Sequence, residues 1–418
     1  MTAPTDSDAI VRPGAHSAFV THLECSKTGE HYPKDTLLGL SQAGAPLLVR
    51  YDLDALAGAV SKDTIASRSP DMWRYREFLP LGEDVEPVSL GEPMTPLVRL
   101  PTVEARLGAA EILVKDEGRL PTGSFKGRGM SVAVSMAKAL GVTRIAIPTA
   151  GNAGAGLAAY ASRAGIESFV FTPADTPEVT ASEIAFHGAR AWRVDGLVGD
   201  CAKIVSEGAD AMDWYDFTTL KEPYRVEGKR TMGLELAEQY EWELPDIIFF
   251  PTGGGVCLIA MWKVFKELEE MGWLKGPLPR MVAVQSTGCG PIVQAFDAGL
   301  RDVEPWGDVT TNVHGVRVPN PIGGSMVLDV LYESDGFGTL VDDDAVHAAR
   351  AKICAEEGFH MCPEGAACVV ALEMERAAGR VGPKDRIVLF NSASGLKSPM
   401  PPMTNFLEPG KAVDYSAL

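Results

Sequence analysis

One lysine stands in a sequence context that favours a reactive amine. Lys126 lies in the run Pro-Thr-Gly-Ser-Phe-Lys-Gly-Arg-Gly over residues 121–129, next to Phe125 and just before a helical pattern over residues 130–140. An amine that is partly withdrawn from water has a lowered pKa and becomes a nucleophile towards carbonyl groups. The same residues also fit a loop and helix cap with an exposed lysine, because Gly-Ser turns often precede helices. The motif alone leaves both interpretations open.

A second candidate is the glycine turn Pro-Thr-Gly-Gly-Gly-Val at residues 251–256. It follows the apolar run 247–250 and precedes a helical pattern over residues 258–268. A strand, a glycine turn and a helix direct backbone N–H groups and a helix N-terminus at a phosphate. The turn matches neither a Walker A loop nor the dinucleotide-binding fingerprint. A tight turn without a ligand is the alternative.

Small residues form a third segment, Thr-Ala-Gly-Asn-Ala-Gly-Ala-Gly at residues 149–156, after the apolar run 144–147. Small residues allow a ligand to approach the backbone, and the free N–H groups of the helix predicted from residue 157 suit a carboxylate. Asn152 adds a neutral amide, although an Asn that caps the helix is the alternative.

A polar turn, Asn-Ser-Ala-Ser-Gly-Leu-Lys at residues 391–397, follows the buried-strand pattern 386–390. It places hydroxyl groups at the carboxyl end of a strand, where open α/β sheets bind ligands. Taken alone, the segment indicates only a turn.

The elements that must position these segments follow from the alternation of apolar runs with helical patterns from about residue 100 onwards. The runs are short and continuous, which is typical of strands buried on both faces; they are 112–114, 144–147, 169–171, 247–250, 281–284 and 387–390. The alternation predicts an α/β fold with mostly parallel, twisted sheets covered by helices and joined by right-handed crossovers. The 418 residues are enough for two domains.

Composition excludes several classes of protein. The net charge of −18 argues against nucleic acid as a partner. No apolar stretch reaches the roughly eighteen residues that a membrane span needs, and residues 1–18 lack the apolar core of a secretory signal. The seven cysteines are odd in number and form no C-x2-C pair. We therefore expect reduced thiols, a cytoplasmic location and no membrane association.

In this order, the four segments resemble the fold-type II pyridoxal-phosphate enzymes, and among them the threonine synthases. The resemblance covers nearly the whole chain and includes further motifs, namely Met72-Trp73-Arg74-Tyr75, Leu90-Gly91-Glu92, Thr95-Pro96-Leu97, Pro223-Tyr224-Arg225, Cys289-Gly290-Pro291-Ile292 and Cys362-Pro363-Glu364-Gly365. It implies a two-domain fold, pyridoxal 5'-phosphate as the cofactor, a small amino acid as the substrate and a homodimer.

The resemblance also implies which residues bind the cofactor. Lys126 corresponds to the lysine that links covalently to it, Asn152 to the partner of its 3-hydroxyl group, and Ser392 to the hydroxyl that faces its pyridine nitrogen. The phosphate cup would consist of Gly253, Gly254, Gly255 and Val256. A hydroxyl leaves the pyridine nitrogen largely neutral, which suits eliminations and replacements at the β or γ carbon.

For the substrate, the backbone around Ala150, Gly151 and Ala153 would hold the carboxylate, and the freed amine of Lys126 would remove the α-proton. In threonine synthases the substrate is O-phosphohomoserine; phosphate leaves the γ carbon and water adds to the β carbon. Arg225 matches the phosphate-binding arginine of that family. Without the resemblance, a surface or helix-end arginine is the favoured interpretation.

Some positions depart from the family. The chain has Ala153 where a Thr is frequent, Thr218 and Thr219 where Asn-Ser is found, and Gly127 where an Asp is usual. Thr149, Thr218 and Thr219 can supply hydroxyl donors instead. Three hypotheses therefore stay open: a threonine synthase; a β-eliminating or β-replacing enzyme for another amino acid, such as a serine/threonine ammonia-lyase or a cysteate-synthase-like enzyme; and a non-catalytic binder. The intact lysine and both ligand loops argue against the third.

The resemblance implies a large cofactor-binding domain of residues 56–125 and 226–418, a small domain of residues 126–225, and an N-terminal flap of residues 1–55. Some relatives carry paired cysteines in that flap, whereas this chain has Cys25 alone. A structural zinc site needs four N or S ligands, so we expect a metal-free flap. The seven histidines show no metal-ligand spacing, and no metal is predicted elsewhere.

Overall fold

The computed structural model describes residues 10–413, which form three β-sheets. In chain order, the strands are β1 (Val20–Cys25), β2 (His31–Tyr32), β3 (Leu47–Tyr51), β4 (Leu97–Arg99), β5 (Glu111–Asp116), β6 (Arg144–Pro148), β7 (Glu167–Pro173), β8 (Arg190–Val194), β9 (Tyr215–Asp216), β10 (Ile247–Pro251), β11 (Arg280–Ser286), β12 (Phe337–Val341) and β13 (Arg386–Asn391).

The α-helices follow most of these strands and cover the sheets. They are α1 (Leu53–Ala59), α2 (Lys62–Ala66), α3 (Pro101–Leu107), α4 (Lys126–Ala139), α5 (Asn152–Ala164), α6 (Glu178–Phe186), α7 (Val198–Met212), α8 (Tyr224–Gln239), α9 (Val256–Glu270), α10 (Pro291–Asp297), α11 (Gly324–Glu333), α12 (Asp343–Glu357) and α13 (Pro363–Ala377).

The largest sheet has six strands in the order β12-β11-β10-β13-β5-β4. Every neighbouring pair is parallel except β4 and β5. Its middle strands are apolar and buried, as in Ile247, Ile248 and Phe249 of β10. The prediction of mostly parallel sheets covered by helices is confirmed, because continuous apolar runs can be buried only when both faces of a sheet are covered.

The second large sheet has four parallel strands in the order β8-β7-β6-β9. These strands lie within the range 126–225, whereas the strands of the six-stranded sheet lie outside that range and beyond residue 55. The sheets are therefore distributed as the two predicted domains require, while the domain boundaries themselves stay a prediction.

The flap contains an antiparallel sheet in the order β2-β1-β3. The thiol of Cys25 is buried and donates to Ser41 Oγ at 3.1 Å. His22, Glu24 and His31 bring potential ligand atoms within 4.8 Å of one another, but Glu24 also forms an ion pair with Arg50 at 2.6 Å. The expectation of a metal-free flap stays a prediction.

Helices α4 and α8 cross at two glycines. A Cβ atom on Gly228 would lie 2.2 Å from the carbonyl oxygen of Arg128, and one on Gly129 would lie 3.0 Å from that of Arg225. This close packing explains one difference from the sequence prediction, in which the helix begins at residue 130. The glycines at 127 and 129 resemble a loop in the sequence, but both belong to α4. A Cβ atom on Gly129 would meet α8, whereas one on Gly127 would lie 3.2 Å from the carbonyl oxygen of Pro121.

Candidate functional site

A cavity of about 490 Å³ lies where the carboxyl ends of the two parallel sheets face each other. Every residue that the sequence analysis assigned to a cofactor or substrate lines it: Lys126, Thr149, Ala150, Gly151, Asn152, Ala153, Thr218, Thr219, Arg225, Gly253, Gly254, Gly255, Val256 and Ser392. The fold therefore brings segments together that are up to 266 positions apart in the sequence, from Lys126 to Ser392. The individual roles of these residues stay predictions.

Three adjacent strands of the six-stranded sheet position the residues predicted to bind the cofactor, except Asn152, which follows β6. The glycine turn follows β10, Ser392 follows β13, and the segment that leads to Lys126 follows β5. The carbonyl group of Ser392 accepts the N–H group of Phe125 at 3.0 Å, which fixes the start of α4 beside the end of β13. Parallel strands with neighbouring carboxyl ends are what gathers these residues.

The predicted substrate residues come from the four-stranded sheet in the same way. Residues 149–153 follow β6, and Thr218 and Thr219 follow β9, which is its parallel neighbour. The cavity is thus lined by loops from both sheets. Most of the predicted cofactor residues come from the six-stranded sheet, whereas Asn152 and the substrate residues 149–151, 153, 218 and 219 come from the four-stranded sheet.

The amine of Lys126 lies over the ring of Phe125, 3.7 Å from the ring centroid. Burial, and next the repulsion by Lys229, lower the pKa of Lys126 to about 7. An ordinary lysine is almost fully charged at that pH, whereas about half of this amine is uncharged. It can therefore act both as a nucleophile and as a base near neutral pH.

The three glycines of the cup are required for different reasons. A Cβ atom on Gly253 would lie 2.7 Å from the carbonyl oxygen of Gly315, and one on Gly255 would lie 2.1 Å from Val327 Cγ2. Gly255 also has a backbone φ of +75°, which residues other than glycine rarely adopt. On Gly254, a Cβ atom would meet only Thr219 Cγ2, at an ordinary 3.6 Å. Protein packing demands the outer two glycines, while Gly254 leaves space for a ligand.

Asn152 is the first residue of α5, and the cap is Gly151 with φ of +134°. The interpretation of Asn152 as the helix cap is therefore wrong. Its side-chain oxygen Oδ1 is buried without a hydrogen-bond partner among the residues that the structure describes. A hydroxyl group of a bound ligand would satisfy it.

Ser392 faces the cavity beside a neutral thiol. Its Oγ lies 3.6 Å from Cys362 Sγ, and burial raises the pKa of Cys362 to about 12. The cup, the unpaired amide oxygen of Asn152, the uncharged amine of Lys126 and this hydroxyl together fit pyridoxal 5'-phosphate, which has a phosphate, a phenolic hydroxyl, an aldehyde and a ring nitrogen. The group would be held by Lys126, Asn152, Ser392 and residues 253–256.

The hydroxyl donors available for a substrate are fewer than the sequence suggests. Thr218 Oγ1 donates to Asp216 Oδ1 at 2.5 Å, so its proton is directed away from a ligand. Thr149 Oγ1 accepts the N–H groups of Gly151 and Gly154 at 3.0 and 3.1 Å and retains its own proton for a ligand. Thr219 also faces the cavity, next to Gly254.

Arg225 lies on the cavity wall but is already partnered. Its Nε donates to Glu222 Oε1 at 2.6 Å, and its Nη2 donates to the carbonyl group of Phe217 at 2.6 Å. Both Arg225 and Glu222 are buried, so the carboxylate balances much of the arginine's charge.

The sequence analysis missed several residues of the cavity wall. Lys229 lies one helical turn after Arg225 on α8 and faces the cavity; the spacing of four residues within one helix was the available signal. His347 lines the cavity and pairs through Nε2 with Asn312 Oδ1 at 2.7 Å. His314 lines it too, and burial lowers its pKa. No sequence signal pointed to the two histidines.

Comparison with known proteins agrees with this geometry. The model of the family described as "Pyridoxal-phosphate dependent enzyme" matches residues 88–393. The threonine synthase of Methanocaldococcus jannaschii is 34% identical over 378 residues, which cover 90% of this chain and 92% of that protein. The threonine synthase of Methanosarcina acetivorans is 31% identical over 382 residues, with the same coverage.

Solved structures show the same fold at low sequence identity. A threonine deaminase isoform of Solanum lycopersicum superposes with a TM-score of 0.60, 19% identity and coverage of 72% of this chain and 83% of that chain. Maize serine racemase superposes with a TM-score of 0.61 and 21% identity, and the match covers 72% of this chain and 88% of that chain. In the part of the chain that the structure describes, no helix is long and apolar enough to cross a membrane.

Proposed function

The chain belongs to the pyridoxal-phosphate dependent enzymes, and from this premise we propose that it acts as a threonine synthase that converts O-phosphohomoserine and water to threonine and phosphate. Similarity to threonine synthases over 90% of the chain supports this choice within the family.

When bound, pyridoxal phosphate would withdraw electrons from the α carbon of an amino acid, which would make the proton on that carbon acidic and then those on the β carbon. In the proposed reaction, Lys126 accepts and returns these protons, because its pKa of about 7 allows both directions near neutral pH. The N–H groups at the start of α5, around residues 150–153, bind the substrate carboxylate at the positive end of the helix.

The observation that carries the proposal is a pair of basic side chains on one cavity wall. Arg225 and Lys229 face the cavity from the same side of α8, close to Lys126. A reaction that expels phosphate needs donors and positive charge where negative charge develops. An enzyme that expels only water or ammonia has no such requirement.

A substrate comparison tests the proposal. The holoenzyme is offered O-phosphohomoserine, O-phosphoserine, threonine and serine, while phosphate, ammonia, keto acid and threonine are measured together. We expect phosphate and threonine in equal amounts from O-phosphohomoserine alone. The Lys126→Ala variant controls for contaminating phosphatases and should release neither product.

The alternative is a β-eliminating or β-replacing enzyme for another amino acid, such as a serine/threonine ammonia-lyase. Two positions favour this alternative. Ala153 has no hydroxyl group, and the hydroxyl group of Thr218 donates to Asp216, so neither residue offers a hydrogen-bond donor to a substrate phosphate. Ammonia and a keto acid from threonine or serine, without phosphate from O-phosphohomoserine, would replace our proposal with this one. The homodimer that the resemblance implies is part of the proposal and is measured by sedimentation of the full chain.

A further inference from the structure

The buried lysines of this protein differ in how their charge is balanced. Lys115, Lys229 and Lys263 are buried among residues 10–413. Lys115 pairs with Glu235 at 2.8 Å, and Lys263 pairs with Glu267 at 2.8 Å. Lys229 has no carboxylate within ion-pair distance in the described part of the chain. The side chain of Lys229 is buried but lines the cavity, where a ligand can supply the anion that the protein does not.

Packing against α4 holds the side chain of Lys229 at the cavity wall. Its side chain runs along α4, since a Cβ atom on Gly129 would lie 3.3 Å from Lys229 Cε. Its amine lies 5.3 Å from the centroid of the Phe125 ring, the same ring that Lys126 covers. The close crossing of α4 and α8 therefore holds the two amines on one ring, with Lys229 in the cavity wall.

No group around Lys229 supplies the missing negative charge. Lys126 on α4 and Arg225 on α8 are cationic or neutral, and burial raises the pKa of the Cys257 thiol on α9 to about 11, so it is uncharged. Glu222, before α8, is already bound to Arg225 at 2.6 Å. Lys229 is thus the cation of α8 in this cavity whose charge is left without a protein anion.

Apart from the reactive Lys126, the other lysines and arginines on the cavity wall already bind protein groups. Arg317 pairs with Asp175 at 2.7 Å, Lys397 pairs with Glu183, and Arg350 donates to the carbonyl group of Met361 at 3.1 Å. An incoming anion would have to break these contacts to use them. At Lys229 it would break none.

We propose that Lys229 is a specificity-determining residue that binds the phosphate group of the substrate, while Arg225, already paired with Glu222, mainly holds the wall in place. This inference rests on the proposed function and assigns its anion site. A dianionic phosphate offers the strong, charge-assisted hydrogen bonds that an ammonium group in a low-dielectric site lacks. The cofactor also has a phosphate, but the cup at residues 253–256 provides backbone N–H groups for it, so we assign Lys229 to the substrate.

The pairing has a thermodynamic consequence. Burial lowers the pKa of Lys229, and the neighbouring Arg225 lowers it further. A bound dianion stabilises the charged amine and raises that pKa again. Binding of a dianion should therefore take up a proton wherever the amine is neutral beforehand, and the uptake should vanish at a pH low enough to charge the amine before binding.

Calorimetry on the holoenzyme tests this with inorganic sulfate, a dianion that does not itself titrate near neutral pH. Titrations in buffers of different ionisation enthalpy give the number of protons taken up. For wild type we expect millimolar binding with proton uptake. Lys229→Met should lose affinity at least about tenfold and lose the uptake, because it removes the charge but keeps the length. Lys229→Arg should retain affinity without uptake, because a guanidinium is always charged.

A matched control is Lys221→Met. Lys221 pairs with Asp216 at 2.9 Å, lies close to the same helix and does not line the cavity. It should bind sulfate as the wild type does. In turnover, Lys229→Met should lower kcat/KM on O-phosphohomoserine by on the order of 30-fold or more, as expected for losing one partner of a buried charge pair.

The outcomes separate this inference from the proposed function. Sulfate binding and kcat/KM of Lys229→Met within twofold of wild type, or no sulfate binding to wild type, would overturn the assignment. If Lys229→Met lost cofactor affinity while its sulfate binding was unchanged, the assignment would also be overturned, and Lys229 would be a cofactor-binding residue. If wild type does not turn over O-phosphohomoserine but binds sulfate through Lys229, the proposed function fails and the anion site stands.

Discussion

Two regions that bury positive charge differ in how that charge is balanced, and α4 and α8 contribute to both. In the first region, which we call the scaffold cluster, Arg128 binds Glu117 at 2.7 Å and Glu235 at 2.6 Å, and Lys115 binds Glu235 at 2.8 Å. All four side chains are fully buried. Against the effect of burial, Arg128 and Lys115 lower the pKa of Glu235 to about 2, so every charge of the cluster has a partner.

The cavity shows the opposite arrangement. Lys126 and Lys229 lie on the same Phe125 ring and have no carboxylate partner among the described residues. Instead of being fixed by an acid, the charge of Lys126 is suppressed, with its pKa lowered to about 7 by burial and then by Lys229. The same two helices thus carry paired charges in the scaffold cluster and amines without a carboxylate partner in the cavity, where the reactive group is Lys126.

The largest effect should come from removing the reactive amine. Lys126→Ala should lower turnover by on the order of 10⁴-fold, because the amine transfers the protons, and should abolish the visible absorption of the bound cofactor. The unfolding midpoint should change little. Lys138→Ala, an exposed position on the same helix, is the control, and a Lys126→Ala enzyme within tenfold of wild type would refute the assignment.

In the scaffold cluster the loss should appear as stability instead. Arg128→Met leaves Glu117 and Glu235 buried with too little positive charge, which typically costs about 3–5 kcal/mol. Urea unfolding of the holoenzyme measures it. The exposed pair of Lys266 and Glu333, 2.8 Å apart, provides the contrast: Lys266→Met should cost less than about 1 kcal/mol. Equal costs for the two variants would contradict the comparison.

The cup should show a cofactor effect without a folding effect. Gly254→Asp should weaken cofactor binding on the order of 100-fold, because a carboxylate repels the phosphate at a helix N-terminus. The protein itself has room for the Cβ atom, which meets only Thr219 Cγ2 at 3.6 Å. Gly254→Ala should therefore bind more tightly than Gly254→Asp. Cofactor titration followed by absorbance measures both affinities. An unchanged affinity of Gly254→Asp would show that the cofactor phosphate does not bind at this turn.

The smallest effect concerns pH. A lysine with a pKa lowered to about 7 is charged below that pH and neutral above it. The rate at which the apoenzyme captures the cofactor covalently should therefore rise about tenfold per pH unit below 7 and level off above it. Lys229→Met removes a repelling amine, so its profile should move to higher pH. A rate that keeps rising to pH 10 would show an ordinary lysine.

Local sequence was sufficient for much of the fold and of the cavity lining. The strands β5, β6, β10 and β13 and the turns after them were predicted because apolar runs, glycines and helix patterns are features of neighbouring residues. Motif order then indicated the family, which similarity to curated relatives bears out. Helix starts were less certain: both α4 and α5 begin several residues before the predicted starts, since packing by α8 and the unusual φ of Gly151 override local preference.

From the sequence alone, a lysine, a glycine cup, an amide and a hydroxyl could be predicted in an order that fits pyridoxal phosphate. Which charges are balanced became visible only in the folded chain. Glu222 is three residues from Arg225 and balances much of its charge, whereas among the described residues Lys229 has no carboxylate partner and packs against α4 at Gly129. The sequence shows which side chains can carry a charge. Whether an opposite charge lies close enough to balance it depends on distances in the folded chain.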